Sequence, residues 1–266
     1  MDWMIVDPDI FFCSKLLNIF ENSAFWNITH VFHDGLQALE YMFTGRVQGM
    51  IVDLVLPGVD GLTLLEAARR VDVVSSAVIT SFYQEDRLAQ ACELGASICL
   101  SKSIDREGLE AAFFEARPAF EKQSVRRVRH HAGMWLDYLG MPRRNLGHRY
   151  LCEAVAFSYG YPTEASTPQR RLYPALAQHF GCAESCIERN IRTAVETLWL
   201  RGESEKLYRF LGDSVAPDRG KPTNRQMLAA LIREAVYLPP VPELWQHHSE
   251  LVPKDYEPVP FVIRRL

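Results

Sequence analysis

The segments MIVDPD (residues 4–9) and IVDLVLPGVDG (residues 51–61) each place an aspartate at or near the end of a short apolar run. Three further runs, rich in Val, Ile or Phe, lie at residues 28–32, 77–79 and 98–100. Such runs are typical of strands that are buried on both faces of a sheet. Because segments with helical spacing separate them, the pattern predicts an α/β doubly wound fold with a five-stranded parallel sheet.

Four polar residues follow or close these predicted strands. Asp7 ends the first, Asp53 lies near the end of the third, Thr80 ends the fourth, and Lys102 follows the fifth. In such a fold all four converge at one edge of the sheet. A carboxylate can attack a phosphoryl group when a divalent cation and a lysine neutralise the charge between the two anions. The grouping therefore indicates phosphoryl transfer to a carboxylate.

The motifs MIVDPD, IVDLVLPGVDG, VITSF (78–82) and GASICLSKS (95–103) resemble the receiver domains of response regulators. The resemblance implies a CheY-like receiver in which Asp53 is the phosphoacceptor, Thr80 the switch hydroxyl and Lys102 the phosphoryl-binding lysine. It also implies Mg²⁺, or another divalent cation such as Ca²⁺ or Mn²⁺, near Asp53. The implied phosphodonor is a kinase or phosphotransferase protein. Ligands from this chain are expected to be the carboxylates of Asp7, Asp9 and Asp53 and the backbone carbonyl of Val55.

The sequence departs from the receiver pattern at three positions. Pro8 separates Asp7 from Asp9, whereas the family usually has two adjacent acids; Ser103 replaces a proline, and Cys99 replaces the aromatic switch residue. We expect Asp9 to replace the missing acid, with Asp7 acting alone as the alternative. A degenerate receiver, working as an interaction module without phosphoryl chemistry, also remains open.

The second half differs in charge and in pattern. Residues 1–118 carry 8 basic and 17 acidic residues, a net charge of −9, whereas residues 119–266 carry 21 and 16, a net charge of +5. A basic half next to an acidic half suggests that only the second meets a polyanion. Two predicted helices, joined at Gly181, fit a helix-turn-helix within an all-α domain. The second of these helices, predicted at 183–200, presents Ser185, Glu188, Arg189 and Arg192 on its polar face, although Glu188 and Arg192 could equally form a surface pair.

Four ordered motifs resemble the DNA-binding effector domain of the stage zero sporulation protein A family. They are LYPALAQHF (172–180), ESCIERNIRTAVETLW (184–199), LYRFLG (207–212) and GKPTN (220–224). The resemblance implies promoter DNA with a TGTCGAA-like element as the partner. It places Glu188, Arg189 and Arg192 in the groove. It also places Arg144 at a backbone or base contact and Lys221 at a phosphate contact.

These observations predict a receiver at 1–118, a basic linker at 119–132, a helical effector domain at 133–237 and a Pro-rich tail at 238–266. No run approaches the ~20 apolar residues of a membrane span, so no membrane partner is expected. The six scattered cysteines favour a reducing cytoplasm over a disulfide framework. We expect a phosphorylation-controlled transcriptional regulator, and not an enzyme, in which phosphorylation leads either to self-association as a homodimer or to relief of inhibition.

Overall fold

The first half of the chain is built on a parallel sheet. Its strands are β1 (Asp2–Val6), β2 (Asn27–Phe32), β3 (Gly49–Val52), β4 (Ser75–Thr80) and β5 (Ala96–Ser101). They pair in the order β2-β1-β3-β4-β5, and every pairing is parallel. The expected doubly wound, CheY-like fold is confirmed. β3 ends at Val52, where the chain leaves the sheet and then turns through Gly58, whose φ is 73°.

The computed structural model describes residues 2–21, 23, 25–42, 47–71, 75–80, 85–160, 171–212 and 220–236. The Pro-rich tail predicted at 238–266 lies outside these residues.

Helices cover both faces of the sheet. They are α1 (Ile10–Phe20), α2 (Gly35–Met42), α3 (Gly61–Val71), α4 (Glu85–Glu93) and α5 (Arg106–Tyr138). Successive strand residues point to opposite faces. Met4 and Val6 of β1 therefore join the core under α2, α3 and α4, while Trp3 and Ile5 join the core under α1 and α5. A strand with apolar residues at every position is thus buried on both sides.

Helix α5 is 33 residues long and belongs to both halves of the molecule. Its first part contributes Leu109, Phe113 and Phe120 to the core around Trp3. Its last part contributes Val128, Ala132, Trp135 and Leu136 to a second core. Residues 119–132, predicted as a linker, thus lie inside a helix that continues past Pro118. The predicted domain boundaries remain predictions.

The second core lies among α5 and five further helices. They are α6 (Leu146–Gly160), α7 (Tyr173–Phe180), α8 (Glu184–Arg201), α9 (Ser204–Leu211) and α10 (Asn224–Ala235). An apolar stripe at helical spacing is buried on α8; it comprises Ile187, Ile191, Ala194, Val195 and Leu198. The expectation of a helical second half is confirmed for the part of it that the structure describes.

Within the described ranges, no helix combines the length and the apolar character that crossing a membrane requires.

Candidate functional site

The carboxyl ends of β1, β3 and β5 bring three charged residues together. Lys102 Nζ lies 2.7 Å from Asp7 Oδ1 and 2.7 Å from Asp53 Oδ2. The two aspartates are only 2% and 4% exposed, so the cluster is buried. Backbone hydrogen bonds fix both acids: Asp7 N donates to Phe32 O and Asp53 N to Val6 O, each over 2.9 Å. One fixed cation therefore bridges two buried anions.

The protonation of this cluster follows from burial and hydrogen bonding. Burial raises the pKa of Asp7, although hydrogen bonds from Lys102 and from the backbone N–H of Asp9 oppose the shift. Burial acts to lower the pKa of Lys102, but the hydrogen bonds to Asp53 and Asp7 outweigh it and raise that pKa above its usual value. Lys102 is therefore charged at neutral pH. It offers a positive charge beside Asp53.

The loop after β3 shapes the surroundings of Asp53. Val55 N donates to Asp53 Oδ1 over 3.2 Å, so each carboxylate oxygen of Asp53 has a partner. Gly61 packs so closely against the backbone of Asp53 that a Cβ at position 61 would lie 2.2 Å from Asp53 O. Val55 itself is 50% exposed. The loop thus holds the carboxylate while leaving the adjacent surface open.

Asp9 has a different local role from the one predicted. Its Oδ1 accepts hydrogen bonds from Phe11 N at 2.9 Å and Phe12 N at 3.0 Å, which makes Asp9 the N-cap of α1. Its own N–H donates to Asp7 Oδ1 over 2.8 Å. Among the described residues, no three His, Cys, Asp or Glu side chains are grouped in a way that could hold a metal. Asp7, Asp53 and Lys102 thus lie in contact, whereas one carboxylate oxygen of Asp9 caps α1.

Two contacts around Lys102 were not predicted from the sequence. Lys102 Nζ lies 5.2 Å from the ring centroid of Phe12, a favourable cation–π distance. Lys15 Nζ donates to Ile104 O over 2.9 Å and ties α1 to the loop after β5. The sequence does not single out Phe12, because helical spacing does not reveal which apolar residue of α1 borders a charge.

The donor chemistry fits a hard divalent cation. Mg²⁺ is usually held through one or two carboxylates, with waters and substrate phosphate completing the set. Asp7 and Asp53 supply two neighbouring carboxylates at the end of the sheet. Thr80 closes β4, as predicted, so its backbone reaches the same edge of the sheet.

The second candidate surface is formed by α8 and two loops beside it. Ser185, Arg189 and Arg192 are exposed on α8, as the sequence predicts. Glu188 is less exposed and pairs with Arg192, one turn away. Gly181, with a φ of 64°, ends α7 and makes a tight turn into α8.

Arg144 and Lys221 lie on the two loops that pack next to α8. Arg144 is exposed. Three residues later, Gly147 packs so closely against α8 that a Cβ added to it would lie 2.4 Å from Ala194 Cβ. The turn bearing Arg144 is therefore held close to α8. Lys221 forms an ion pair with Glu196 of α8, and Asn224 Nδ2 donates to Glu188 O over 3.3 Å. These contacts gather the predicted basic residues around one helix.

Two family models match the chain in separate segments. Residues 4–114 match the response regulator receiver domain. Residues 134–235 match the C-terminal domain of the sporulation initiation factor Spo0A. The two segments follow one another and together include most of the chain.

Solved structures resemble the receiver half. The CheY-like response regulator receiver domain protein from Methanospirillum hungatei JF-1 is 19% identical, with 46% of this chain and 97% of that chain covered and a TM-score of 0.41. The response regulator domain of Thermotoga maritima CheB is 19% identical, with 45% of this chain and 96% of that chain covered and a TM-score of 0.41. The response regulatory domain of mrkE from Klebsiella pneumoniae is 20% identical, with 46% of this chain and 99% of that chain covered and a TM-score of 0.41.

Proposed function

We propose that the chain is a Spo0A-like response regulator, a transcription factor with a receiver domain and a sporulation-type DNA-binding domain, and that phosphorylation of Asp53 controls its binding to promoter DNA. The observation that carries the proposal is the position of Lys102, 2.7 Å from both Asp7 and Asp53. A buried carboxylate beside a fixed cation is the arrangement that a phosphoacceptor requires.

In the proposed reaction, a carboxylate oxygen of Asp53 attacks the phosphorus of a phosphodonor. The bond between phosphorus and the donor breaks, the donor leaves with that electron pair, and an acyl phosphate remains on Asp53. Lys102 stabilises the charge on the phosphoryl oxygens. Asp7, Asp53 and the Val55 carbonyl would hold Mg²⁺, which supplies further neutralisation of charge between the two anions. Asp9 would join through the carboxylate oxygen that does not cap α1.

Phosphorylation changes the electrostatics of the cluster. A phosphoryl group adds about −1.5 to −2 charge at neutral pH, so Lys102 is drawn from its bridge between the carboxylates toward the new oxygens. Thr80, at the end of β4, is the hydroxyl proposed to hydrogen-bond the phosphoryl group and so report it. Self-association or relief of inhibition then follows, and the effector domain binds DNA in the cytoplasm.

We infer that α7 and α8 act as a helix-turn-helix, with α8 in the major groove. Arg189 and Arg192 can each read guanine, with Ser185 and Glu188 meeting base edges or orienting the arginines. Arg144 and Lys221 would contact the DNA backbone from the flanking loops. Lys221 must exchange its exposed ion pair with Glu196 for a phosphate, which costs little because such pairs are worth about 0–1 kcal/mol.

One observation favours the second candidate function, a receiver that acts as an interaction module without phosphoryl chemistry. Pro8 removes the usual second acid, and one oxygen of Asp9 is committed to capping α1. The pocket then has fewer ligands for a cation, and the transfer reaction slows or fails.

A labelling experiment separates the two functions. Incubation of the full-length protein with Mg²⁺ and acetyl phosphate should add one hydroxylamine-labile phosphoryl group, detected by intact mass. Asp53→Asn should abolish the addition, whereas Asp60→Asn, on the same loop, should retain it. Absence of labelling in the parent protein would favour the interaction module.

A further inference from the structure

The thiols of Cys92, near the end of α4, and Cys99, in the middle of β5, are in contact. Their Sγ atoms lie 3.5 Å apart, and both cysteines are free. The other four cysteines contact other kinds of atom: Cys13 Sγ meets Asp7 O, Cys152 meets His148 Nδ1, Cys182 meets Tyr150 Oη and Cys186 meets Asn190 Nδ2. The Cys92–Cys99 pair thus differs in chemistry from the remaining thiols.

A tight turn sets this contact. Gly95 N donates to Cys92 O over 3.0 Å, and Gly95 adopts a φ of 102°. This left-handed residue reverses the chain from α4 into β5, which brings position 99 back beside position 92. A disulfide bond is about 2.05 Å long, so the two sulfur atoms need to approach by roughly 1.5 Å. Side-chain rotation of the exposed Cys92 can supply most of this.

We propose that Cys92 and Cys99 form a reversible disulfide when the protein meets a peroxide, and that this bond fastens α4 to β5. The exposed Cys92 thiolate attacks one peroxide oxygen, the O–O bond breaks, and Cys92 becomes a sulfenic acid while hydroxide leaves. The sulfur of Cys99 then attacks the Cys92 sulfur, the S–O bond breaks, and the proton of Cys99 leaves with that oxygen as water. Two thiols and one hydrogen peroxide thus give one disulfide and two waters.

The environments of the two thiols assign their order of reaction. Cys92 is exposed and meets the oxidant first, whereas Cys99 is only partly accessible. Burial raises the pKa of the Cys99 thiol to about 12, so Cys99 is the slower partner at neutral pH. Raising the pH should therefore accelerate closure of the disulfide.

The location gives the bond a structural consequence. Cys99 lies on β5 three residues before Lys102, and it occupies the position of the receiver's aromatic switch residue. The loop that the bond closes is very short, so its effect on global stability through chain entropy is small. The bond instead restrains α4 against the strand that leads to Lys102.

Peptide mapping of the full-length protein tests the proposal. The reduced protein is treated with hydrogen peroxide, alkylated and digested with trypsin, which leaves both cysteines on the peptide 88–102 because Arg87 and Lys102 flank it. We expect this peptide to lose both alkylation sites and the mass of two hydrogens. Cleavage after Glu93 then yields two fragments that separate only on reduction.

Variants identify the intermediate and the order of events. Cys99→Ser should accumulate a Cys92 sulfenic acid that dimedone labels, whereas Cys92→Ser should leave Cys99 alkylatable. Cys182→Ser is the matched control and should form the disulfide like the parent. Two outcomes overturn the proposal: a peptide that remains alkylated at both positions, or one that carries separate sulfinic or sulfonic acids without a cross-link.

Discussion

At the scale of single residues, Lys102 is the central residue of the receiver site. Two carboxylates that are almost fully buried share one ammonium group, and the side chain of Lys102 is itself 11% exposed. Removing one partner from a buried charge cluster leaves an uncompensated charge, which typically costs more than the intact cluster contributes. Lys102 therefore has a structural role in addition to its proposed role in phosphoryl transfer.

Lys102→Ala should lower the free energy of unfolding by about 3 kcal/mol, because Asp7 and Asp53 are left facing each other without a cation. Urea denaturation measures this loss. The double variant Lys102→Ala/Asp7→Asn should recover part of it, since one of the two negative charges is gone. Equal stability of the single and double variants would argue against the bridging role.

Asp9 offers a second test at this scale, because a helix cap and a metal ligand respond differently to substitution. Asp9→Ala should lower stability by about 1 kcal/mol, whereas Asp9→Asn should keep the cap and most of the stability. Because Asp9 is proposed to hold Mg²⁺ through its other carboxylate oxygen, Asp9→Asn should lower the Mg²⁺ affinity measured by calorimetry, though less than Asp7→Asn does. An unchanged Mg²⁺ affinity in Asp9→Asn would exclude Asp9 as a ligand.

At the scale of elements, α8 has one face that packs in the second core and another that is proposed to recognise DNA. Its buried stripe fixes which residues face outward, and the contacts of Gly147 and Asn224 hold two basic loops beside it. Base contacts and phosphate contacts should then differ in their response to DNA sequence and to salt.

Arg189→Ala should weaken binding to a TGTCGAA-containing duplex by about 1–3 kcal/mol and leave binding to random DNA nearly unchanged, if the contact is to guanine. Lys221→Ala should weaken both alike and reduce the salt dependence by about one counterion. Fluorescence anisotropy over a range of salt concentrations measures both. A uniform loss for Arg189→Ala would make it a phosphate contact.

The elements also show where sequence patterns succeed. Strands buried on both faces produce short apolar runs, and the stripe on α8 has a clear helical period, so both are predictable. Helix α5 could not be predicted as one helix, because Phe113 and Phe120 face one core while Ala132 and Trp135 face another. No single apolar face runs along it, and Pro118 with the basic residues after it favoured a linker. The capping by Asp9 could not be predicted, because an aspartate just past the end of β1 can serve equally as a metal ligand or as a helix cap.

At the scale of the whole molecule, α5 physically connects the two cores. Arg127, on the stretch predicted as a linker, is 3% exposed and donates from Nη1 to Gln48 O over 2.8 Å. Gln48 precedes β3, and its Oε1 accepts from Asp2 N over 3.1 Å at the start of β1. These hydrogen bonds join the sheet to the helix that continues into the second core.

Arg127→Met should keep most of the packing of the side chain but lose the charged hydrogen bond, which lowers stability by roughly 1.5–3 kcal/mol. It should also reduce the difference in DNA affinity between the phosphorylated and unphosphorylated protein. Arg126→Met is the control, since Arg126 is the exposed neighbour on the same helix. If both variants behave like the parent in denaturation and DNA binding, the contact does not couple the two halves.

A DNA titration of the full-length protein tests most directly whether phosphorylation of Asp53 controls DNA binding. Affinity for a TGTCGAA-containing duplex is measured with Mg²⁺ present, before and after acetyl phosphate, for the parent and for Asp53→Asn. We predict that the parent gains affinity on the order of tenfold, within the usual range of coupling between two sites. Asp53→Asn should not respond. An unchanged affinity in a parent protein shown by mass to be phosphorylated, or an equal gain in Asp53→Asn, would contradict the claim.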